Sequence, residues 1–134
     1  IGYFSLSTAK RAKKVYAIEK NKTAFKYLKE NIKLNKIKNI VAINDDCRNF
    51  VTGEKIDRII MGYFPYTERF LPYAMSVINN GIINYHNSAK TEKVIEEQIK
   101  TVFKKRKFVM RHIKKVKSIA PRTCHFVADI EILT

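Results

Sequence analysis

The segment Met61-Gly62-Tyr63-Phe64-Pro65-Tyr66-Thr67 directly follows an apolar, strand-like run over residues 56–61. In an open α/β sheet, ligands lie beyond the carboxyl ends of the strands, so this turn is where a substrate base would sit. A turn that holds the N–H of a base during alkylation usually does so with a side-chain carbonyl, which Asn or Asp supplies. Gly62 offers none. The turn therefore reads as the acceptor side of an alkylating site with no N–H to hold, made of Gly62, Tyr63, Phe64 and Pro65. Tyr63, Phe64, Tyr66 and Tyr73 could stack on an extruded base, a contact worth roughly 1–3 kcal/mol. Phe70 and Leu71 read as core.

Two other strand ends carry acids. Glu19 closes Val15-Tyr16-Ala17-Ile18 and lies about twenty residues beyond a glycine turn at Gly2, where a Rossmann-like nucleotide site places an acceptor for the ribose hydroxyls. The plainer reading is a surface Glu paired with Lys20 or Lys22. Asp45-Asp46-Cys47 follows the next strand, where an acid accepts from an adenine amino group and a backbone N–H reaches a ring nitrogen. We assign Asp46 to adenine and Cys47 a packing or backbone role beside it; simple charge balance is the alternative. His86 closes residues 82–86, again read as a strand end, as a loop-orienting residue or a general base. His112 and His125 form no ligand set. Cys47 and Cys124 match no metal spacing, so no metal is expected and the thiols read as reduced, as in a cytoplasmic protein.

Net charge is +15, from 27 Lys+Arg against 12 Asp+Glu, which favours a polyanionic partner. AT-rich coding bias would also enrich Lys, but it would raise Glu alongside. The basic groups concentrate at Lys104-Lys105-Arg106-Lys107 and Lys114-Lys115, and this block reads as tracking phosphates. About five such contacts would give a slope near −4.5 in log K against log salt.

The elements that must position these residues alternate. Strands are expected at 15–18, 39–43, 56–61 and 81–85, and helices at 21–35, 67–78 and 91–103. That order argues for a parallel sheet with helices on both faces. The last two runs, 108–116 and 124–133, have no helix between them and must pair as an antiparallel hairpin. With 134 residues, 46% of them hydrophobic, the chain suits one compact α/β domain over 1–134, and no apolar run is long enough to span a membrane. The front reads as incomplete: Ile1-Gly2-Tyr3-Phe4 resembles the second half of a glycine turn, yet the first strand is missing. The expectation is an N-terminally truncated fragment, with weakened cofactor binding and an exposed sheet edge.

These residues together resemble one family along nearly the whole chain. Gly2-Tyr3-Phe4-Ser5, Val15 to Asn21, Leu28-Lys29-Glu30-Asn31-Ile32-Lys33-Leu34-Asn35, Asp57-Arg58-Ile59-Ile60-Met61, Gly81-Ile82-Ile83-Asn84-Tyr85-His86 and Val116 to Arg122 with Cys124-His125-Phe126-Val127 are similar to the archaeal and eukaryotic tRNA (guanine-37-N1) methyltransferase and wybutosine-synthesis superfamily. The methyltransferase branch is expected to carry Asn-Leu-Pro after Met61. Gly62-Tyr63 resembles instead the tRNA wybutosine-synthesising protein 2 family, the aminocarboxypropyltransferase branch.

The resemblance implies a class I methyltransferase (Rossmann-like) fold and S-adenosylmethionine as aminocarboxypropyl donor. It implies C7 of 4-demethylwyosine, in the anticodon region of tRNA(Phe), as acceptor, with methylthioadenosine released. Gly2, Glu19, Asp46 and Cys47 would bind the cofactor; no catalytic base is identified. A cytoplasmic monomer is expected. Two rivals stay open: a guanine-37-N1 methyltransferase, and an RNA-binding module without catalysis.

Overall fold

The computed structural model of the protein describes residues 1–63 and 65–134. In chain order these form α1 (Tyr3–Ala9), β1 (Val15–Ile18), α2 (Lys22–Leu34), β2 (Ile40–Ile43), β3 (Arg58–Met61), α3 (Leu71–Val77), β4 (Gly81–Ala89), α4 (Glu92–Val102), β5 (Phe108–Ala120) and β6 (Thr123–Ile132). Short 3-10 turns occupy Cys47–Asn49 and Thr67–Phe70. The chain divides into two compact units, Ile1–Val51 and Thr52–Thr134.

In the first unit β1 and β2 pair in parallel, Val15 opposite Ile40 and Ile18 opposite Ile43. Helix α2 crosses between them. Its start is set by Asn21, whose side chain accepts the Ala24 N–H at 2.9 Å. Its end is closed by the reciprocal pair Ile37 N–H to Ile32 C=O and Lys36 N–H to Lys33 C=O, with Lys36 in the left-handed region at φ 53°. Gly2 opens α1 at φ 88°, and Asn31 Nδ2 donates to Ile1 C=O at 3.0 Å, tying the glycine turn to α2.

The second unit is a four-stranded mixed sheet in the order β3-β4-β6-β5. Strands β3 and β4 are parallel, while β4–β6 and β6–β5 are antiparallel. The α/β class and the closing hairpin are as the sequence predicts. Alternation along β4 buries Ile83, Tyr85, Asn87 and Ala89 on one face. There they join Leu71, Ala74 and Ile78 of the α3 segment, Ile95 and Ile99 of α4, Phe103, and Phe126, Ala128, Ile130 and Ile132 of β6. Burying those side chains is the main stabilising term of this unit, each large one worth roughly 1.5–3 kcal/mol.

Three boundaries differ from expectation. The helix expected over 67–78 splits into the 3-10 turn and α3, because Pro72 in the first turn of α3 has no N–H to continue a ladder from upstream. The loop expected at 117–123 shrinks to the tip between Ala120 and Thr123, with Arg122 at φ 59° and register shifts along β5 absorbing the extra length. Strand β4 runs on to Ala89, paired with β6 throughout, so His86 stands mid-strand and not at a strand end.

Candidate functional site

At the carboxyl ends of β1 and β2 the first unit gathers the polar groups that the sequence singles out. Asn44 Nδ2 donates to the backbone carbonyls of Glu19 (2.8 Å) and Lys20 (3.3 Å), holding the two strand ends together. Glu19 Oε1 accepts the Asn21 N–H at 2.8 Å. Its other oxygen takes no hydrogen bond among the described residues, so the carboxylate retains acceptor capacity for a hydroxyl pair.

Asp46 is more fully engaged. Its Oδ1 accepts from the Arg48 backbone N–H (3.0 Å) and Arg48 Nε (2.8 Å), and its Oδ2 from Arg48 Nη2 (2.6 Å) and Lys20 Nζ (3.0 Å). The Arg48 side chain first, then its N–H and Lys20, hold the Asp46 carboxyl well below the usual carboxylate range. A carboxylate has about four acceptor positions, and all four are filled. An adenine amino group would have to displace one donor; Lys20, whose side chain is 72% exposed, is the one in a position to leave. Cys47 begins the 3-10 turn that Asp46 caps. Local desolvation, then the Asp46 charge, push its thiol up, so it is neutral at pH 7. Gly2, the fourth residue assigned to the cofactor, is backed by Leu28: a Cβ there would come within 2.8 Å of Leu28 Cδ1.

The second unit carries the turn after β3 that the sequence reading takes as an acceptor side. Gly62 and Pro65 are exposed, and Tyr63 is 65% exposed with its ring edge-on to Phe70 at 5.4 Å between centroids. Phe64 lies outside the described residues. Tyr66 is in the left-handed region at φ 72°, and the Arg69 guanidinium lies 4.8 Å from its ring centroid. Leu71 is buried and Phe70 packs against the core, as their sequence reading has it.

The Thr67–Phe70 turn that follows is tied to β4 by a polar group that the sequence reading does not single out. Asn87 is 1% exposed, and its amide donates to Glu68 Oε2 (2.8 Å), Tyr85 Oη (2.7 Å) and Gln98 Oε1 (3.2 Å). The Tyr85 hydroxyl donates on to Gln98 Oε1 at 3.0 Å, and burial pushes that phenol well above its ordinary value. The signal was present: Asn87 occupies a core-facing position of an alternating strand, where a polar side chain needs a partner.

The opposite face of the sheet carries polar side chains among Ile60, Ile82 and Val127. Arg58 Nη1 donates to Asn84 Oδ1 at 2.8 Å, and Asn84 Nδ2 donates to Asp129 Oδ1. His86 Nδ1 and His125 Nε2 are 3.1 Å apart. Burial first, and then the partner's charge, keep His86 below its ordinary value, against the pull of Asp129; burial and then Lys117 do the same to His125.

The basic block is not one patch. Lys104, Lys105 and Lys107 are exposed, but Arg106 Nη1 and Nη2 donate to the carbonyls of Met75 and Asn79, both at 2.7 Å. Lys114 and Lys115, opposite Val127 and Phe126, point to opposite faces of β5. Among the described residues no group of three His, Cys, Asp or Glu is placed to hold a metal, and no helix is long and apolar enough to cross a membrane.

Residues 1–125 match the model of the TRM5/TYW2 methyltransferase domain. A Methanocaldococcus jannaschii protein named tRNA(Phe) (4-demethylwyosine(37)-C(7)) aminocarboxypropyltransferase is 39% identical, over 96% of this chain and 55% of its own length. The M. jannaschii TYW2 structure, in complex with AdoMet, superposes with a TM-score of 0.88 at 38% identity, covering 98% of this chain and 64% of that one. Pyrococcus abyssi Trm5b superposes at 0.90 with 35% identity, over 98% of this chain and 41% of that one. The chain thus spans about half the length of the curated relative it matches. On the family match over residues 1–125, and with a fold shared by solved structures of both branches, this chain belongs to the TRM5/TYW2 methyltransferase-domain family.

Proposed function

We propose that this chain forms the S-adenosylmethionine-binding catalytic domain, over residues 1–134, of a tRNA aminocarboxypropyltransferase. The reaction moves the 3-amino-3-carboxypropyl group to C7 of 4-demethylwyosine at position 37, in the anticodon region of tRNA(Phe), and releases methylthioadenosine. The enzyme is read as a cytoplasmic monomer. The observation that carries the reading is Gly62, which follows β3 without a side chain where guanine N1 transfer wants an Asn. Overall superposition does not separate the branches, because Trm5b fits as well as TYW2. The chemistry of the turn favours the aminocarboxypropyl branch. A ring carbon already in place has no N1–H to be held, so a bare Gly62 suffices.

The residues present suit the donor. Glu19 keeps acceptor capacity at a strand end for the two ribose hydroxyls. Asp46 reaches an adenine amino group once Lys20 withdraws, with Cys47 lending its backbone. Gly2 lets the chain approach the cofactor closely beside α1. When bound, S-adenosylmethionine supplies three electrophilic carbons on one sulfonium. The protein's part is to aim one of them, which is a matter of near-attack geometry. Tyr63, exposed and braced on Phe70, offers a face on which the tricyclic base stacks. Lys104, Lys105, Lys107, Lys114 and Lys115 attract the phosphates.

The test supplies S-adenosylmethionine labelled either in the methyl or in the carboxyl carbon to the full-length protein, with tRNA(Phe) carrying 4-demethylwyosine. Carboxyl label without methyl label is the expected result. Methyl label entering a tRNA with unmodified guanosine at position 37 would place the protein in the methyltransferase branch instead.

A further inference from the structure

Gly62, Tyr63 and Pro65 of the acceptor turn are exposed, so the position of the turn must be set from beneath it. The 3-10 turn Thr67–Phe70 follows it directly, and two of its side chains face the interior. Glu68 Oε2 accepts from the buried Asn87 amide at 2.8 Å, and no cation pairs with Glu68 among the described residues. Thr67 is 1% exposed, and its hydroxyl has no partner among the described residues. Phe70 leaves the same turn to brace the Tyr63 ring. A path therefore runs from Asn87 to Glu68, along the backbone of the 3-10 turn to Phe70, and from its ring to Tyr63.

Asn87 is suited to this by its amide. Its carbonyl accepts the Ser88 N–H at 2.9 Å, and its NH₂ faces only acceptors: the Glu68 carboxylate, the Tyr85 hydroxyl and the Gln98 carbonyl. An ionised Asp there could donate nothing and would set one carboxylate against another in a site largely closed to water, where such repulsion is poorly screened. An apolar residue would leave the acceptors unmet, at the desolvation cost of each.

We propose that Asn87 is a positioning residue for the acceptor base: through Glu68 it locks the Thr67–Phe70 turn to β4 and so fixes the Tyr63 face. The proposal rests on the reading of Gly62 to Pro65 as the acceptor side. It implies that the partition of S-adenosylmethionine between productive transfer and none depends on a residue that touches neither substrate.

The test compares the full-length wild type with Asn87→Asp, Glu68→Gln and the double variant N87D/E68Q. In the double variant the donor and acceptor are exchanged. The amide introduced at position 68 donates to the carboxylate introduced at position 87, the Tyr85 hydroxyl turns to do the same, and the Gln98 amide can flip. Hydrogen exchange is read first, on the free protein. Asn87→Asp is expected to speed exchange over residues 65–70 tenfold or more while leaving the β5–β6 hairpin unchanged, and the double variant is expected to restore it. Carboxyl-label transfer should then follow the same pattern. The kcat falls about tenfold in Asn87→Asp and recovers in the double variant, with S-adenosylmethionine affinity by calorimetry within about twofold throughout. Unchanged exchange at 65–70 in Asn87→Asp, faster exchange everywhere, or no recovery in the double variant would each overturn the proposal. A wild type that transfers no carboxyl label while exchange behaves as stated would overturn the proposed reaction and leave the lock standing.

Discussion

Gly81 shows how much one backbone position can carry. It opens β4 at φ 155°, and a Cβ there would come within 2.3 Å of the Asp57 carbonyl oxygen. That same carbonyl accepts the Ile82 N–H at 3.0 Å and starts the β3–β4 pairing. Backbone cannot give way as a flexible side chain can. Gly81→Ala should therefore destabilise the protein by about 2 kcal/mol or more, combining a conformation alien to Ala with a lost ladder contact. Denaturant unfolding checks this; a midpoint equal to that of the wild type would show that β3 and β4 can move apart. Gly2 differs in kind. Its Cβ would be too close only to the tip of Leu28, which can turn aside, and in ordinary contact with Leu6, so there the positive φ is the main constraint.

Among the elements, α3 depends on a residue from another part of the chain. It is seven residues long, and short helices hold poorly by themselves. Its terminal carbonyls need donors, and Arg106 supplies two hydrogen bonds there, to Met75 and to Asn79 just beyond the helix. Arg106→Ala is thus expected to cost about 1–3 kcal/mol of stability, since hydrogen bonds to a charged donor are lost. It should leave the salt dependence of the proposed tRNA binding almost unchanged. Lys104→Ala should do the reverse, with stability held and the slope of log K against log salt reduced by about 0.7–0.9. Filter binding across a salt series, beside thermal melts of both variants, separates the two roles. If Arg106→Ala lowers the slope as Lys104→Ala does, the guanidinium reaches a phosphate as well. The charge run over 104–107 was legible in the sequence. That its one arginine serves a helix end was not, because the acceptors lie 31 and 27 residues earlier.

For the molecule as a whole, a charge of +15 makes acid the more dangerous direction, and the histidine pair adds to it. Both His86 and His125 sit below their ordinary value of 6.5 in the folded protein. As pH falls below about 6.5, the unfolded chain takes up protons that the folded chain does not. Stability is therefore intact above that value and declines as pH falls towards the folded values. Melting temperatures from pH 7.5 down to 5 should drop more steeply for wild type than for His125→Gln, which removes one of the two groups and the repulsion between them. Parallel profiles would show that the pair does not set the acid limb. The groups facing this pair, Asp129 on β6 and Lys117 on β5, act in opposite senses and are common to both proteins.

What the sequence determined by itself is what depends on near neighbours along the chain. The period of apolar residues places β1, α2 and α4 within a residue or two, because burial of one face is encoded locally. The hairpin follows from two strands with no room for a crossover between them. That Glu19 and Gly62 follow strand ends was legible too, and strand ends in this architecture are where ligands are sought. Tertiary structure alone decided which polar groups meet. Asn87 finds Glu68 across 19 residues, and Asn84 finds Asp129 across 45. Asp46 is already engaged by Lys20 and Arg48, and His86 stands inside a strand that pairing with β6 prolongs to Ala89. The meetings along β4 turn on strand register, and a slip of one residue would send each of those side chains to the other face.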